Sequence, residues 1–170
     1  MKKRPDVDLS VVNLHPGELF VARRPTLIST ILGSCVSVCL FCARQKIGAM
    51  CHGVLPVSPN QDSADSFRFV ETSIHYMVAC LTSDRKLCNR AGLIAKIFGG
   101  ADVLTVRPAS AGGLPSVGSL NIQAARAALE REDVPVLVEK VGGVVGCKMF
   151  FYTHTGEVLL RPFTRHSPRQ

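Results

Sequence analysis

The feature that most constrains the fold of this chain is a run rich in β-branched residues, Thr26–Leu32, which Gly33 and Ser34 separate from a second such run, Cys35–Phe41. β-Branched and aromatic side chains favour extended backbone. A glycine between two extended runs favours a sharp change of direction. The stretch therefore predicts two strands on either side of a tight bend.

A β-hairpin is expected to follow this bend. Polar residues 43–46 separate the second run from another apolar stretch, Ile47–Leu55, which Pro56 closes. Two apolar stretches joined by a short polar link are typical of antiparallel strands. We therefore expect Ile47–Leu55 to pair with the run that begins at Cys35.

The rest of the chain alternates between helical and extended patterns. Apolar residues at spacings of three and four predict amphipathic helices, and β-branched stretches bounded by glycine or proline predict strands. The remaining predicted elements are an edge strand at 19–21, a helix at 67–82 capped by Asp65 or Ser66, a strand at 93–98, a second helix capped by Asn121 or Ser119, a strand from 134 to 138, and a closing hairpin of 148–152 and 158–163. A stretch containing glycine and proline, 102–118, is expected to be a long loop.

Length and composition predict a single α+β domain over residues 1–170, because 170 residues with 46% hydrophobic content suit one core. We expect residues 1–18 and 164–170 to be loosely ordered. No stretch reaches the roughly 20 apolar residues that cross a bilayer, and no apolar segment follows the charged N-terminal residues. These features indicate a cytoplasmic protein that does not insert into a membrane.

Charge and cysteine content narrow the function classes further. The formal net charge of +7 favours an acidic partner. Two Tyr, no Trp and no recognisable RNA-binding signature argue against nucleic acid. The seven cysteines are an odd, irregularly spaced set in a chain large enough to fold without disulfides. We therefore interpret them as reduced thiols.

Cys35 is the candidate nucleophile, because a reactive thiol needs a neighbouring base and the predicted hairpin supplies one. Opposed residues of an antiparallel pair share a face. A loop with an even number of residues therefore places Cys35 and His52 either opposite each other or as diagonal neighbours, within roughly 8 Å. An odd loop would separate them. The same alternation sends Cys51 to the other face, with Val36 and Val38.

The residues just before Cys35 offer supporting groups. A bend without bulky side chains, here Gly33 and Ser34, lets backbone N–H groups approach an oxyanion. A hydroxyl of Ser29 or Thr30, in the strand leading into the bend, is available to orient the imidazole. A simple turn and ordinary strand residues would look the same in sequence.

A metal site is the competing interpretation of the cysteines. Cys35, Cys39 and Cys42 have the spacing that radical enzymes use for an iron–sulfur cluster. Cluster ligands need a loop that wraps the metal, whereas the residues between these cysteines favour an extended strand. The remaining histidines, without paired spacing, are His15, His75, His154 and His166. We expect no metal and no cofactor.

Three motifs then identify a resemblance. The segments Leu32–Leu40, Gly48–Pro56 and Ala95–Ala101, read as LGSCVSVCL, GAMCHGVLP and AKIFGGA, resemble the chemoreceptor glutamine deamidase family CheD in order and spacing. The resemblance extends from about Leu19 to Phe163. It implies a layered α/β/β sandwich with mixed sheets, a fold that this family shares with the catalytic domain of cytotoxic necrotizing toxins.

The resemblance also implies a reaction and its residues. Cys35 corresponds to the nucleophile, His52 to the general base, and Ser29 to a position usually occupied by a threonine that orients the histidine. The implied reaction converts glutamine side chains of chemoreceptors to glutamate through a cysteine thioester, with release of ammonia, in bacterial chemotaxis. The implied partners are the cytoplasmic helices of methyl-accepting chemotaxis receptors and a CheC-type phosphatase.

Some positions depart from the family pattern. Leu120 stands where the family commonly has arginine, Lys140 lies in a segment that often carries an aspartate before the glycine pair, and the arginine expected near Cys147 is missing. These departures motivate the alternative function, a catalytically weak binding module for a CheC-type phosphatase or a receptor.

Overall fold

The computed structural model describes residues 8–59, 66–84, 88–103 and 114–164. In chain order the elements are β1 (Ser10–Asn13), β2 (Leu19–Ala22), β3 (Thr26–Leu32), β4 (Val36–Cys42), β5 (Ile47–Cys51), α1 (Val70–Leu81), β6 (Leu93–Gly99), α2 (Val117–Arg131), β7 (Val136–Val141), β8 (Cys147–Tyr152) and β9 (Glu157–Pro162). Short 3₁₀ turns lie at Ser66–Arg68 and Arg90–Gly92.

The described strands form two mixed sheets that pack face to face. The larger sheet has the order β2-β5-β4-β6-β7 and the smaller sheet the order β1-β3-β8-β9. Each contains one parallel pair, β6 with β7 and β1 with β3. Both described helices cover the outer face of the larger sheet, and neither is long and apolar enough to cross a bilayer. This arrangement confirms the predicted α/β/β sandwich.

Strand β4 lies between the two cores of the protein. All seven of its residues are buried. Val36, Val38 and Leu40 face the helices, whereas Cys39 and Phe41 face the smaller sheet. A strand that is buried on both sides favours apolar residues on both faces, which explains why this segment is apolar at all positions but Ser37 rather than alternating.

The bend at Gly33 and Ser34 carries the chain from one sheet to the other. β3 ends in the smaller sheet at Leu32, and β4 begins in the larger sheet at Val36. The two predicted strands and the bend between them are confirmed. Their separation into different sheets was not predicted.

The predicted hairpin is formed by β4 and β5. Cys39 pairs with Met50 and Cys42 with Ile47, which leaves the four residues 43–46 in the loop. The loop is therefore even-numbered. An even loop is the condition under which Cys35 and the histidine that follows β5 share a face.

Helix α1 begins later than predicted. It starts at Val70 rather than at residue 67, because Ser66–Arg68 form a separate 3₁₀ turn. The N-cap position is Phe69, whose side chain makes no capping hydrogen bond, so the prediction of Ser66 as the cap was wrong. The other predicted cap, Asp65, lies outside the described residues.

Helix α2 begins earlier than predicted. The hydroxyl oxygen of Ser116 accepts a hydrogen bond from the backbone N–H of Ser119 at 3.2 Å, so the first helical residue is Val117. The prediction of Asn121 or Ser119 as the cap was therefore wrong. The earlier start shortens the preceding loop and places Asn121 inside the helix, on its buried face.

The ends of other elements also differ from the prediction. Residues 8–18 were expected to be loosely ordered, but they contain β1, which pairs in parallel with β3 and buries Val12 against the core between the sheets. β7 runs over Val136–Val141 rather than 134–138. Most of the predicted loop 102–118 lies outside the described residues.

Candidate active site

The bend before Cys35 is held in place through its carbonyl groups. The carbonyl oxygens of Gly33 and Cys35 accept hydrogen bonds of 2.8 Å from the backbone N–H groups of Ala101 and Gly100. A Cβ atom at Gly99 would overlap the carbonyl oxygen of Cys35. The end of β6 can therefore approach the bend only because that residue is a glycine.

Asn121 ties this bend to the segment that carries His52. Its side chain is fully buried, and Nδ2 donates to the carbonyl oxygens of Ser34 at 3.2 Å and Val54 at 2.9 Å. Ser34 is the neighbour of Cys35, and Val54 follows His52 by two residues. The sequence analysis missed this role, although an amide on the apolar face of an amphipathic helix needs buried partners and could have indicated it.

The backbone of His52 is anchored by the turn that precedes β2. Its N–H donates to the carbonyl of Glu18 at 2.8 Å, and its carbonyl accepts from the N–H of Gly17 at 2.9 Å. Gly17 has a φ of +84°, a conformation that glycine adopts without steric cost. His52 itself is only 3% exposed. His52 is thus a buried group with a fixed main chain.

The hydroxyl of Thr30 fixes both the orientation and the tautomer of the imidazole. Thr30 Oγ1 lies 2.7 Å from His52 Nδ1 and 2.8 Å from the carbonyl oxygen of Leu14. A carbonyl can only accept, so the single hydroxyl proton goes to Leu14 and the hydroxyl oxygen accepts a hydrogen bond from Nδ1–H. Nε2 is therefore the nitrogen that can take up a proton.

Ser29, which the resemblance implied as the orienting residue, does not contact His52. Successive side chains of a strand point to opposite faces. Thr30 therefore enters the space between the sheets, while Ser29 points to the outer face of the smaller sheet, where its hydroxyl donates to the side-chain oxygen of Asn13. Of the two hydroxyls that the sequence offers, that of Thr30 is the one that bonds to the imidazole.

Cys35 and His52 take the diagonal arrangement that an even loop allows. Val36, which follows Cys35, and Gly53, which follows His52, exchange backbone hydrogen bonds of 3.0 and 2.8 Å. This register places the two backbones roughly 7–8 Å apart on one face of the larger sheet. Cys35 packs against the core between the sheets, where His52 also lies. The odd-loop alternative is excluded.

Burial keeps both members of the pair neutral. It raises the pKa of the Cys35 thiol above its ordinary value of 9.0, and the backbone N–H of Cys35 opposes this rise. Burial also lowers the pKa of His52 from 6.5 to about 4, which the nearby Glu18 carboxylate opposes and His15 reinforces. At neutral pH the pair is therefore a thiol and an unprotonated imidazole that can accept a proton.

The backbone of the bend offers candidate oxyanion donors, as the sequence predicts for Gly33 and Ser34. The carbonyls of both residues are turned towards Ala101 and Asn121. No acceptor for the N–H of Ser34 lies among the described residues. This N–H, next to Cys35, is a candidate donor to a developing negative charge.

An open groove of about 510 Å³ leads to His52 from the side of the smaller sheet. Besides His52, its lining includes Leu14, His15, Thr30, Ile31 and Lys148. Cys35 is not part of this lining. The groove therefore reaches His52, and Cys35 lies beyond it at the bend.

The three cysteines with iron–sulfur spacing do not converge. Cys35 and Cys39 face the smaller sheet, whereas Cys42 faces the helices. Cys42 follows Cys35 by seven steps of nearly extended chain, a separation of roughly 23 Å. Within the described ranges, no three potential ligand side chains are grouped for a metal ion.

The other cysteines differ in burial. Cys51 faces the helices, on the opposite face from His52, as the hairpin predicts. Cys88 is also buried, whereas Cys80 and Cys147 are partly buried.

Comparisons with known proteins agree with one another. The family profile described as CheD chemotactic sensory transduction matches residues 54–162. The chain is 44% identical over 154 residues to the probable chemoreceptor glutamine deamidase CheD 2 of Geobacter sulfurreducens, covering 91% of each chain. It is 36% identical over 168 residues to the probable chemoreceptor glutamine deamidase CheD of Maridesulfovibrio salexigens, covering 94% of this chain and 95% of that one. These two alignments include Cys35 and His52, which precede the profile match.

A crystal structure of the hypothetical protein YfiH from Bacillus licheniformis has a TM-score of 0.46 and 12% identity, over 74% of this chain and 51% of that one. At that score the likeness supports no conclusion about fold or chemistry.

Replacing Asn121 by alanine is expected to destabilise the protein by about 1–3 kcal/mol, because the buried carbonyls of Ser34 and Val54 lose their shared donor. Urea unfolding measures this free energy. Gln123→Ala, an exposed change on the same helix, is the control and should stay within about 0.5 kcal/mol of wild type. Equal effects of the two substitutions would show that the buried amide does not hold the bend.

Proposed function

The chain belongs to the CheD family, and from this premise we propose that it is a protein-glutamine deamidase acting on chemoreceptors. Cys35 is the proposed nucleophile and His52 the proposed general base. The relatives at 44% and 36% identity carry the name of this activity. The observation that carries the proposal is the contact of Thr30 with Nδ1 of His52, which leaves Nε2 unprotonated on the face that Cys35 shares.

The first half of the reaction forms a thioester. As the sulfur of Cys35 attacks the carboxamide carbon of a glutamine side chain, the thiol proton passes to Nε2 of His52. The carbonyl oxygen becomes an oxyanion, which the backbone N–H of Ser34 is placed to stabilise. His52 then gives its proton to the departing nitrogen, the carbon–nitrogen bond breaks, and ammonia leaves.

The second half hydrolyses the thioester. Water attacks the thioester carbonyl while Nε2 of His52 takes one of its protons, and the carbon–sulfur bond breaks. The proton returns to the sulfur of Cys35, and the product is a glutamate side chain. The reaction thus adds one negative charge to the receptor, where a new carboxylate changes local electrostatics.

The pKa values favour proton transfer during attack rather than before it. The pKa of Cys35 is raised above 9.0 and that of His52 is lowered to about 4, so a resting thiolate–imidazolium pair is strongly disfavoured. These pKa values favour loss of the thiol proton to His52 as the new carbon–sulfur bond forms. His52 therefore works as a general base, and not as the permanent counter-ion of a thiolate.

The proposed substrate is the cytoplasmic helical region of a methyl-accepting chemotaxis receptor, so the proposed site of action is the cytoplasm. A CheC-type phosphatase is the second partner that we propose. Binding of both partners to Cys35→Ala protein would separate their association from catalysis.

Receptor cytoplasmic fragments incubated with wild-type protein should gain the mass of amide-to-acid conversion and release ammonia. Cys35→Ala should abolish conversion because no thioester can form, and His52→Ala should slow it about 10²–10⁴-fold. Cys80→Ala, which changes a partly buried thiol on α1, is the matched control and should convert at the wild-type rate. Mass spectrometry of receptor peptides measures each case.

Conversion that persists in Cys35→Ala would overturn the proposal. Wild-type protein that binds receptor fragments tightly without ever converting an amide would instead support the binding module.

Thr30→Val should lower kcat by roughly 10–100-fold, by analogy with the loss of a partner that orients a metal-binding histidine. Valine keeps the shape of threonine but gives Nδ1 of His52 no acceptor. Thr30→Ser should restore most of the rate, and Ser29→Ala should change it by less than about threefold, because Ser29 bonds to Asn13 instead. A rate that falls with Ser29→Ala but not with Thr30→Val would return the orienting role to Ser29.

A further inference from the structure

The outer face of the smaller sheet carries exposed apolar residues among its polar ones. Both described helices pack on the far side of the larger sheet, so neither covers this face. Outward positions of such a sheet are usually polar, yet Val11, Ile31 and Leu159 are 64%, 58% and 47% exposed. Leu159 lies directly opposite Phe150 in the register of β8 and β9. The face therefore presents exposed apolar side chains to its surroundings, between polar residues that include Asn13, Ser29, Tyr152 and Glu157.

Two cationic residues lie at one end of this face. Lys148 and Arg161 are directly opposite each other in the β8–β9 register, an arrangement of like charges that destabilises a sheet. Lys148 Nζ and the guanidinium carbon of Arg161 each lie 5.4 Å from the centre of the Phe150 ring. Neither cation forms an ion pair with a carboxylate in the part of the chain that the structure describes. A bound anion would relieve this repulsion.

The cationic end of the face is also the end nearest the candidate active site. Lys148 pairs with Ile31, and β3 ends one residue later, at Leu32, just before the bend that leads to Cys35. Ile31 and Lys148 also line the groove that reaches His52. A chain segment lying on this face would therefore continue into the groove.

We infer that this face is the docking surface for the substrate, and that its occupant is an amphipathic helix of the chemoreceptor with acidic side chains beside the glutamine. The inference rests on the proposed function. An apolar stripe of such a helix would cover Val11, Phe150 and Leu159. Its carboxylates would meet Lys148 and Arg161.

The charges of the face favour an acidic occupant. An acidic partner is complementary to these cations, and the chain as a whole carries a formal net charge of +7.

The test is a binding measurement that does not depend on catalysis. All variants carry Cys35→Ala, and isothermal titration measures the Kd for a receptor cytoplasmic fragment that contains the glutamine-bearing helix. Lys148→Glu and Arg161→Glu should each weaken binding at least tenfold and should reduce its dependence on salt concentration. Arg44→Glu makes the same charge change at an exposed position in the loop between β4 and β5, and should change Kd by less than twofold.

Circular dichroism checks that each variant is folded. If a glutamate variant does not fold, Lys148→Gln and Arg161→Gln are measured instead. Equal affinities of the face variants and Arg44→Glu would overturn the docking surface, while deamidation by protein with intact Cys35 would leave the proposed function standing. If the wild type forms a dimer that Lys148→Glu dissociates, the docking surface for the receptor is also overturned, because the face would then bind a second copy.

Discussion

The hydrogen bond between Thr30 and His52 is the interaction on which the rest of the site depends, because it crosses from one sheet to the other. Thr30 lies on β3 of the smaller sheet, and His52 follows β5 of the larger one. Since the Thr30 proton is taken by the carbonyl of Leu14, the bond also decides which imidazole nitrogen is free. The packing of two sheets thus selects the tautomer of one side chain.

The layered fold serves this contact by carrying the chain between sheets at the bend before Cys35. If the chain stayed in the same sheet after the bend, the thiol of Cys35 and the hydroxyl of Thr30 would lie on one surface. No second sheet would then face the imidazole of His52. Asn121 and the residues that follow β6 donate hydrogen bonds to the carbonyls of the bend. Cys35 is therefore positioned by backbone contacts, whereas His52 is positioned by a side chain and by burial.

The hairpin, the bend and the shared face of Cys35 and His52 could be predicted from sequence because they depend on local parity and on an apolar run buried on both sides. The choice between Ser29 and Thr30 could not, because it depends on which face of β3 meets the other sheet. That face is set by pairing with β8, more than 100 residues away. The role of Asn121 likewise depends on where α2 begins, which the Ser116 cap decides.

The most direct measurement is nitrogen-15 NMR of the His52 imidazole across pH, with the signal assigned by comparison with His52→Gln. We expect the proton on Nδ1 and a neutral ring down to about pH 4, because burial lowers its pKa from 6.5. In Thr30→Val the ring should stay buried, but its proton should no longer be confined to Nδ1. A ring that carries its proton on Nε2, or that titrates near 6.5 as an exposed histidine does, would contradict the central role of the contact with Thr30.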